Sequence, residues 1–227
     1  MIHSFSPRMD ILPQAQKQLW PRLARAAELG LVLYGGTAIA LRLGHRFSVD
    51  FDFFTEKELD KDALKDVLPF ITQASVLQES RNTYTVLVAC GLSGNEYVKV
   101  SFFGGIGIGR IGEPALTEDG SLIVASLDDL MATKLKVILQ RVEAKDYLDI
   151  AAMIVAGVRL DKGLAAARAM YGSNFQPSES LKAMVYFEGG DLQTLSTEAR
   201  ATLIEAASGI RAIPTVGPLI GELSIPH

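Results

Sequence analysis

The most restrictive feature of the sequence is a short apolar run at residues 31–34 that is followed directly by two glycines. An apolar run of this length, bounded by glycines, is typical of a buried strand that ends in a tight turn. Residues 37–43 then have a helical pattern, and Gly44 is placed to end that helix. Residues 47–54 are rich in aromatics and alternate in polarity, which predicts a second strand. This part of the chain is therefore predicted to alternate strand and helix, as α/β proteins do.

Further strands and helices follow in two separate groups. Before residue 126 the patterns predict a helical region at 11–29, a helix at 55–68 that begins with a Thr-x-x-Glu capping box, a turn at 91–95, and strands at 75–79, 83–90, 97–103 and 122–125. After residue 126 they predict helices alone, at 126–141, 144–156, 164–171, 178–187 and 197–207, then an irregular tail from residue 213. We therefore predict an α/β (α+β) domain with a mixed sheet at residues 1–125 and a C-terminal helical domain at residues 126–227.

Composition and charge exclude several classes of protein. Of the 227 residues, 48% are hydrophobic and 21% are charged, which is typical of a globular chain and excludes a mainly disordered or fibrous one. The 22 basic and 26 acidic side chains give a net charge of −4. This balance excludes an overall basic surface for nucleic acid, but it leaves room for a local basic patch.

Cysteine usage and the N-terminal residues indicate a cytoplasmic protein. Cys90 is the single cysteine, so no internal disulfide can form, and its place in a predicted strand indicates buried filler rather than a reactive thiol. Arg8 and Asp10 interrupt the apolar segment that a secretory leader would need. No uncharged run approaches the roughly 18 residues that a membrane span requires. We therefore expect neither a leader nor a membrane span.

Two carboxylates, Asp50 and Asp52, lie in the second predicted strand. Their spacing of two places both on one strand face, with Val49, Phe51 and Phe53 toward the core. Neighbouring carboxylates repel each other, and a divalent cation such as Mg²⁺ would relieve that repulsion. The alternative is a half-exposed strand whose polar face happens to be acidic. The preceding glycine turn and helix N-terminus suit a phosphate, so the combination favours a site for a metal ion and a phosphate.

A second glycine motif, G-x-G-x-x-G at residues 107–112, must be weighed as a dinucleotide site. Asp128 and Asp129 follow at roughly the distance of a ribose-binding acid. However, Glu113 and Pro114 stand where the helix of such a site should begin. A flexible loop near the active cleft is therefore the favoured interpretation of this segment.

The first glycine turn and the acid pair together resemble a known family. Gly35-Gly36-Thr37 followed by Asp50-Phe51-Asp52 resembles the core signature of the nucleotidyltransferase superfamily whose type member is DNA polymerase β. The variant Arg46-x-Ser48-x-Asp50-x-Asp52-Phe53, with the later Lys134-Leu135 and Lys145-Asp146-Tyr147-Leu148-Asp149, is similar to the AbiEii/AbiGii toxin family of bacterial nucleotidyltransferases. The similarity spans residues 31–150.

This resemblance implies a fold, a reaction and a set of site residues. The fold is a polymerase-β-like core followed by helices, and the reaction is Mg²⁺-dependent transfer of NMP from an NTP to a hydroxyl of an RNA such as tRNA, or of a protein. The setting is a toxin–antitoxin or phage-defence system, with a cognate antitoxin as partner. In family terms, Asp50 and Asp52 bind Mg²⁺, Asp146 is a catalytic or orienting acid, and the nucleotide contacts Gly35, Gly36, Thr37, Ser48 and Lys134.

The charged residues of the first two C-terminal helices have a second interpretation. Asp146 and Asp149 share a helix face, and a solvated, salt-bridged helix surface explains that pattern as well as a catalytic role does. Binding of a tRNA would require a basic patch formed by Lys134, Lys136, Arg141 and Arg110.

Ser101 departs from the superfamily pattern. Superfamily enzymes usually carry a third carboxylate on a later strand, and Ser101 stands at that position in the strand at 97–103. A neutral hydroxyl is a poor replacement for a ligand or a base. We therefore expect that Asp146 compensates, that a single metal binds, or that catalysis is weakened. The alternative function is a non-catalytic NTP-binding or interaction module with the same fold.

Overall fold

A computed structural model describes residues 3–91, 96–217 and 219–225. Apart from Gly91, the predicted turn at 91–95 lies outside the described residues. The described residues form two compact units: one within Met1–Gly109, Glu113–Ser126 and Ile220–His227, the other within Arg110–Gly112 and Leu127–Leu219. The domain boundary after residue 125 stays a prediction, because a domain is defined by independent folding rather than by compactness.

The first unit contains a mixed sheet in the order β1-β7-β8-β2-β3-β6-β5-β4. Its strands are β1 Ser4–Phe5, β2 Val32–Tyr34, β3 Asp50–Phe54, β4 Ser75–Ser80, β5 Thr83–Cys90, β6 Glu96–Phe103, β7 Ala115–Thr117 and β8 Ile123–Val124. β3 runs antiparallel to β2 and parallel to β6. β5 and β6 form the predicted antiparallel hairpin. The sheet is therefore mixed, as expected.

The helices of this unit are short. They are α1 Gln14–Leu19, α2 Gly35–Leu43 and α3 Lys61–Val67, with 3-10 turns at Met9–Ile11, Trp20–Leu23, Ala26–Leu29 and Pro69–Gln73. α2 ends at Gly44, whose φ is +68°, so the predicted glycine stop is confirmed. No helix or strand is assigned to the tail at 213–217 and 219–225, as predicted.

The core of the first unit is built on one face of the central strands. Phe51 and Phe53 of β3 are fully buried, and the ring of Phe53 stacks on that of Phe102 with a centroid distance of 5.6 Å. Trp20 packs against Phe51 with the ring centroids 6.3 Å apart. Because side chains alternate along a strand, Asp50 and Asp52 lie on the opposite face of β3.

The second unit is helical. Its helices are α4 Leu127–Val137, α5 Ala144–Val155, α6 Leu160–Tyr171, α7 Pro177–Val185 and α8 Thr197–Ser208, with 3-10 turns at Gly172–Asn174 and Leu192–Thr194. α4 packs on α6, and α5 packs on α8. Ala165, Ala166 and Ala167 are buried on α6, where small side chains let helices approach closely. No helix among the described residues is long and apolar enough to cross a membrane.

Three local predictions are wrong. The region at 11–29 is one six-residue helix with 3-10 turns, and Pro21 lies at the start of one of those turns. The predicted strand at 47–54 begins only at Asp50, so Val49 does not face the core and is 59% exposed. The helix expected at 55–68 begins at Lys61, and Asp60 caps it.

The failure of the capping box at Thr55 has a structural cause. The backbone N–H of Thr55 donates to the carbonyl of Phe103, so the chain is still paired with β6 at this point. Asp60 Oδ1 instead accepts hydrogen bonds from the amides of Asp62 and Ala63, each at 3.0 Å. Pairing of Thr55 with β6 therefore prevents the capping box from starting a helix at this residue.

Candidate functional site

The glycine turn lies between β2 and α2, directly beside Asp52. Gly35 has a φ of +73°, a conformation that residues with a side chain rarely adopt. A Cβ at Gly35 would lie 2.9 Å from Asp52 Oδ2, because Tyr34 and Asp52 are paired across the two strands. A Cβ at Gly36 would collide with the guanidinium of Arg46. The absence of side chains at both glycines makes room for Asp52 and Arg46 beside the start of α2, where the first backbone amides have no partner within the helix.

Thr37 links α2 to the segment that carries the acids. Its side chain is 1% exposed, and its Oγ1 lies 2.8 Å from Ser48 Oγ. The Thr37 hydroxyl also donates to the backbone carbonyl of Asp50. Thr37 therefore connects the first turn of α2 to Ser48 and to the backbone of Asp50. The predicted contact of Thr37 and Ser48 with a nucleotide stays a prediction.

The acid pair has a basic neighbour that the sequence analysis missed. Asp50 pairs in register with Lys99 of β6, and Lys99 Nζ lies 2.8 Å from Asp50 Oδ2. The side chains of Lys99 and Asp50 are 39% and 31% exposed. Lys99 lies two residues before Ser101 and therefore on the same strand face, a signal present in the sequence.

Ser101 stands beside Asp52, as the superfamily pattern predicts for the third acid. The parallel pairing of β3 and β6 places Ser101 in register with Asp52, and Ser101 is 3% exposed. Within the described part of the chain, no three His, Cys, Asp or Glu side chains come together as a metal site. Two carboxylates are still an adequate donor set for Mg²⁺, which binds through one or two carboxylates while waters and phosphates complete its shell. The residues present therefore fit the ion that the resemblance implies.

The remaining predicted site residues form a buried ion cluster in the second unit. Lys134 Nζ lies 2.6 Å from Asp146 Oδ1 and 2.7 Å from Asp149 Oδ2. Arg141 holds the other oxygen of Asp146, with Nε 2.7 Å from Oδ2. The side chains of both aspartates are fully buried, and that of Lys134 is 6% exposed. The cluster is salt-bridged, but it is not the solvated helix surface offered as the alternative.

The cluster lowers the proton affinity of Asp146. Burial alone would raise its pKa, but the hydrogen bonds from Arg141 and Lys134 and their positive charges outweigh burial and lower the pKa below its ordinary value of 3.8. A carboxylate with a lowered pKa is a weak general base. Of the two roles expected for Asp146, the geometry favours orientation over proton transfer.

This shift predicts a dependence of stability on pH. The folded protein binds fewer protons at Asp146 than the unfolded chain does in acid, so the cluster stabilises the fold fully above the unfolded pKa of 3.8. The stabilisation is lost as the pH falls through the lowered native pKa. Urea unfolding between pH 7 and pH 3 should show a steeper loss of stability in the wild type than in Asp146→Asn. An equal dependence of the unfolding free energy on pH in the two proteins would show that the pKa of Asp146 is not lowered in the folded state.

The basic patch expected for tRNA does not form as predicted. Lys134 and Arg110 are 5% and 4% exposed, which is too little for either to form part of an extended surface patch for tRNA. Lys134 is held instead by the two aspartates of the cluster. Lys136 and Arg141 are the two predicted members that retain exposure.

The second glycine motif is anchored to an acid and does not begin a helix. The buried carboxylate of Asp129 accepts hydrogen bonds from the amides of Ile111 at 2.8 Å and Gly112 at 3.3 Å. Asp129 was weighed as a ribose-binding acid, but it holds the loop at 110–112 in place. This arrangement excludes the dinucleotide interpretation, which requires a helix after the glycines.

Comparison with known protein families identifies the family to which this chain belongs. A profile of the family described as nucleotidyl transferase AbiEii toxin, type IV TA system, matches residues 21–207, which is more than half of the chain. The chain belongs to the AbiEii nucleotidyltransferase toxin family. The resemblance found in the sequence is thereby confirmed, and both groups of predicted site residues lie inside the matched region.

A curated relative and two solved structures are also similar to this AbiEii family member. The protein aq_aa25 of Aquifex aeolicus (strain VF5) is 30% identical over 141 residues, which cover 60% of this chain and 65% of the relative. The chain thus matches less than two thirds of that relative's length. MenT4, a nucleotidyltransferase toxin from Mycobacterium tuberculosis H37Rv, has a TM-score of 0.55 at 16% identity, with 87% of this chain and 83% of MenT4 covered.

The MenT4 comparison concerns the fold and confirms the predicted fold class. The antibiotic-resistance factor ANT(2'')-Ia gives a TM-score of 0.49 at 16% identity, with 67% of this chain and 89% of that chain covered, and we base no conclusion on it.

The pairing of Asp50 with Lys99 has a consequence for stability. Since Lys99 offsets the repulsion between Asp50 and Asp52, Asp50→Asn is not expected to raise the free energy of unfolding. The loss of a half-exposed ion pair and the relief of repulsion oppose each other, so the free energy of unfolding should change by less than about 1 kcal/mol. Thermal melting in a metal-free buffer measures this change. A clear stabilisation would show that Lys99 does not compensate the pair.

Proposed function

We propose that the chain is a Mg²⁺-dependent nucleotidyltransferase that moves NMP from an NTP to a hydroxyl of an acceptor, and that it is the toxin of a toxin–antitoxin or phage-defence system. The observation that carries this proposal is the juxtaposition of the glycine turn at Gly35 and Gly36 with the carboxylates of Asp50 and Asp52. Membership of the AbiEii family supports it.

The proposed reaction is a phosphoryl-group displacement. The acceptor hydroxyl oxygen forms a bond to the α-phosphorus of the NTP, and the bond from that phosphorus to the bridging oxygen of the β-phosphate breaks. Pyrophosphate leaves with the electron pair, and the hydroxyl proton passes to solvent or to a nearby base. When bound, Mg²⁺ supplies charge neutralisation for the phosphates and polarises the reacting phosphorus.

The residues of the first unit have separate proposed roles in binding the cation and the phosphates. Asp50 and Asp52 would hold the cation, and the amides after Gly35 and Gly36 would bind phosphate oxygens at the N-terminus of α2. Thr37 ties Ser48 and the Asp50 backbone to that helix, so the phosphate site and the metal ligands keep a fixed spacing. Positioning of this kind, together with electrostatic stabilisation of the phosphates, accounts for most of the catalysis of phosphoryl transfer.

Lys134 and Asp146 have a different proposed role. The resemblance implies that Lys134 contacts the triphosphate, and the buried pairs with Asp146 and Asp149 would hold its ammonium in a defined place. Asp146 then acts through Lys134 as a positioning residue rather than as a general base.

The acceptor is an RNA such as tRNA, or a protein, and the proposed place of action is the cytoplasm. The screen that tests this uses purified full-length protein, Mg²⁺, and each of the four α-³²P-labelled NTPs, with total bacterial RNA in one arm and protein lysate in the other. Label in one arm with one NTP identifies acceptor and base together. Label in neither arm, with protein that binds Mg²⁺ and NTP, would contradict transferase activity. A cognate antitoxin should suppress the label.

Ser101 favours one second candidate, a non-catalytic NTP-binding or interaction module. Its neutral hydroxyl stands in register with Asp52, where a third acid would be expected. Ser101→Asp separates the two candidates. Transfer that survives or increases in this variant places Ser101 at the metal centre of an enzyme. NTP binding without transfer, in the wild type and in Ser101→Asp, supports the binding module.

A further inference from the structure

Lys99 is a basic side chain beside the two carboxylates that are proposed to bind a cation, where its positive charge competes with that cation. It lies on the same face of β6 as Ser101, and its Nζ is 2.8 Å from Asp50 Oδ2. The parallel ladder fixes this neighbourhood, since Asp50 pairs with Lys99 and Asp52 pairs with Ser101. The contact therefore follows from strand register and not from a chance surface conformation.

The Lys99 ammonium adds a positive charge beside Asp50 on the strand face that carries both aspartates. A divalent cation that binds both aspartates must replace the Lys99 ammonium at Asp50, and the nearby ammonium then repels the cation. Each effect lowers the affinity of the site for the cation when no polyphosphate is bound.

A triphosphate changes this balance. Its several negative charges give the Lys99 ammonium a second partner, and the four-carbon stem of lysine is flexible enough to change partners near a fixed backbone. The side chain of Lys99 is 39% exposed, so it is not locked in the core. Polyphosphate and cation would then increase each other's affinity, because a polyphosphate that pairs with Lys99 leaves Asp50 available to the cation.

We propose that Lys99 is the internal counter-cation of the Asp50–Asp52 pair, which holds Asp50 in the metal-free protein and yields it to a divalent cation when a polyphosphate binds. This inference rests on the proposed function, and it assigns Lys99 as a positioning and specificity residue of that site. It also means that the site is loaded by cation and nucleotide together.

The test measures Mn²⁺ and inorganic tripolyphosphate separately, with full-length protein. Electron paramagnetic resonance gives the affinity for Mn²⁺ alone, and calorimetry gives the affinity for tripolyphosphate at saturating Mg²⁺. Lys99→Met should raise the Mn²⁺ affinity about tenfold and lower the tripolyphosphate affinity about tenfold, since one charge is removed from a half-exposed site. Lys99→Arg keeps the charge and should stay near the wild type in both.

Lys61→Met is the matched control. Lys61 pairs with Glu79 at 2.9 Å in the same unit, so it tests the loss of a comparable ion pair elsewhere. Neither affinity should change in this variant. Should Lys99→Met fail to fold, Lys99→Gln provides the same comparison.

The outcomes separate this inference from the proposed function. Opposite shifts of the two affinities support the role of Lys99, even if no transfer of label is ever found. A Mn²⁺ affinity that falls or stays within about twofold in Lys99→Met overturns it, even if the wild type is an active transferase. Absence of Mn²⁺ binding in both wild type and variant overturns this inference and the metal assignment together.

Discussion

We expect Asp146→Ala to lower the free energy of unfolding by about 3–5 kcal/mol, because it removes one partner of a buried ion cluster. Asp146 is fully buried, and its carboxylate accepts from both Lys134 and Arg141. Without it, Asp149 still balances the ammonium of Lys134, but Arg141 loses its ion pair with Asp146, so the group of Lys134, Arg141 and Asp149 carries one excess positive charge. Urea unfolding followed by circular dichroism at pH 7 measures the loss.

The matched control for Asp146→Ala is Glu179→Ala. Glu179 pairs with Lys182 at 3.0 Å, but both side chains are exposed, at 57% and 74%. Exposed pairs contribute about 0–1 kcal/mol, so this variant should unfold almost as the wild type does. If Asp146→Ala behaved like Glu179→Ala, the cluster would not hold the helical unit together.

Gly35→Ala should lower the affinity for Mg²⁺–tripolyphosphate at least about 100-fold, since displacements near 1 Å are enough to cost that much at a positioned site. The new methyl group would lie 2.9 Å from Asp52 Oδ2 in a backbone conformation with φ of +73°. It would therefore displace the Asp52 carboxylate and narrow the turn at the same time. Gly36→Val should have the same effect by displacing Arg46. Calorimetry measures the affinity, and circular dichroism confirms that the variants are folded.

Gly120→Ala separates backbone strain from the effect on the site. Gly120 has a φ of +71°, and a Cβ there would meet no atom within 4 Å. The variant carries the same strain in a turn outside the site, so it should lose some stability and keep its tripolyphosphate affinity. Equal loss of affinity in Gly35→Ala and Gly120→Ala would show that the glycine turn is not a phosphate site.

The parts of the fold that were predicted well depend on neighbouring residues in the sequence. The strand before the glycines and the stop at Gly44 follow from local apolar patterns and from glycine conformation. The shared face of Asp50 and Asp52 follows from the period of two along a strand. The place of Ser101 beside Asp52 could be anticipated from the superfamily pattern, because that pattern has a third carboxylate beside the acid pair.

The parts that were missed depend on pairing between distant segments. The contact of Lys99 with Asp50 depends on the register of β3 against β6, which follows from the superfamily position of Ser101 and not from any pattern of neighbouring residues. Charges spaced three or four residues apart usually indicate an exposed helix surface, so burial of Asp146 and Asp149 required knowledge of the helix packing. The capping box at Thr55 failed because sheet pairing extended past the end of β3.

The most direct test of nucleotidyl transfer measures which phosphate of the NTP is transferred to the acceptor. Full-length protein is incubated with its acceptor and Mg²⁺, once with α-³²P-labelled NTP and once with γ-³²P-labelled NTP. We predict label in the acceptor from the α-position alone, and at least about a 100-fold loss in Asp52→Asn, as expected when several kcal/mol of metal-dependent stabilisation are removed. Label from the γ-position, or α-label that Asp52→Asn leaves unchanged, would contradict nucleotidyl transfer at this site.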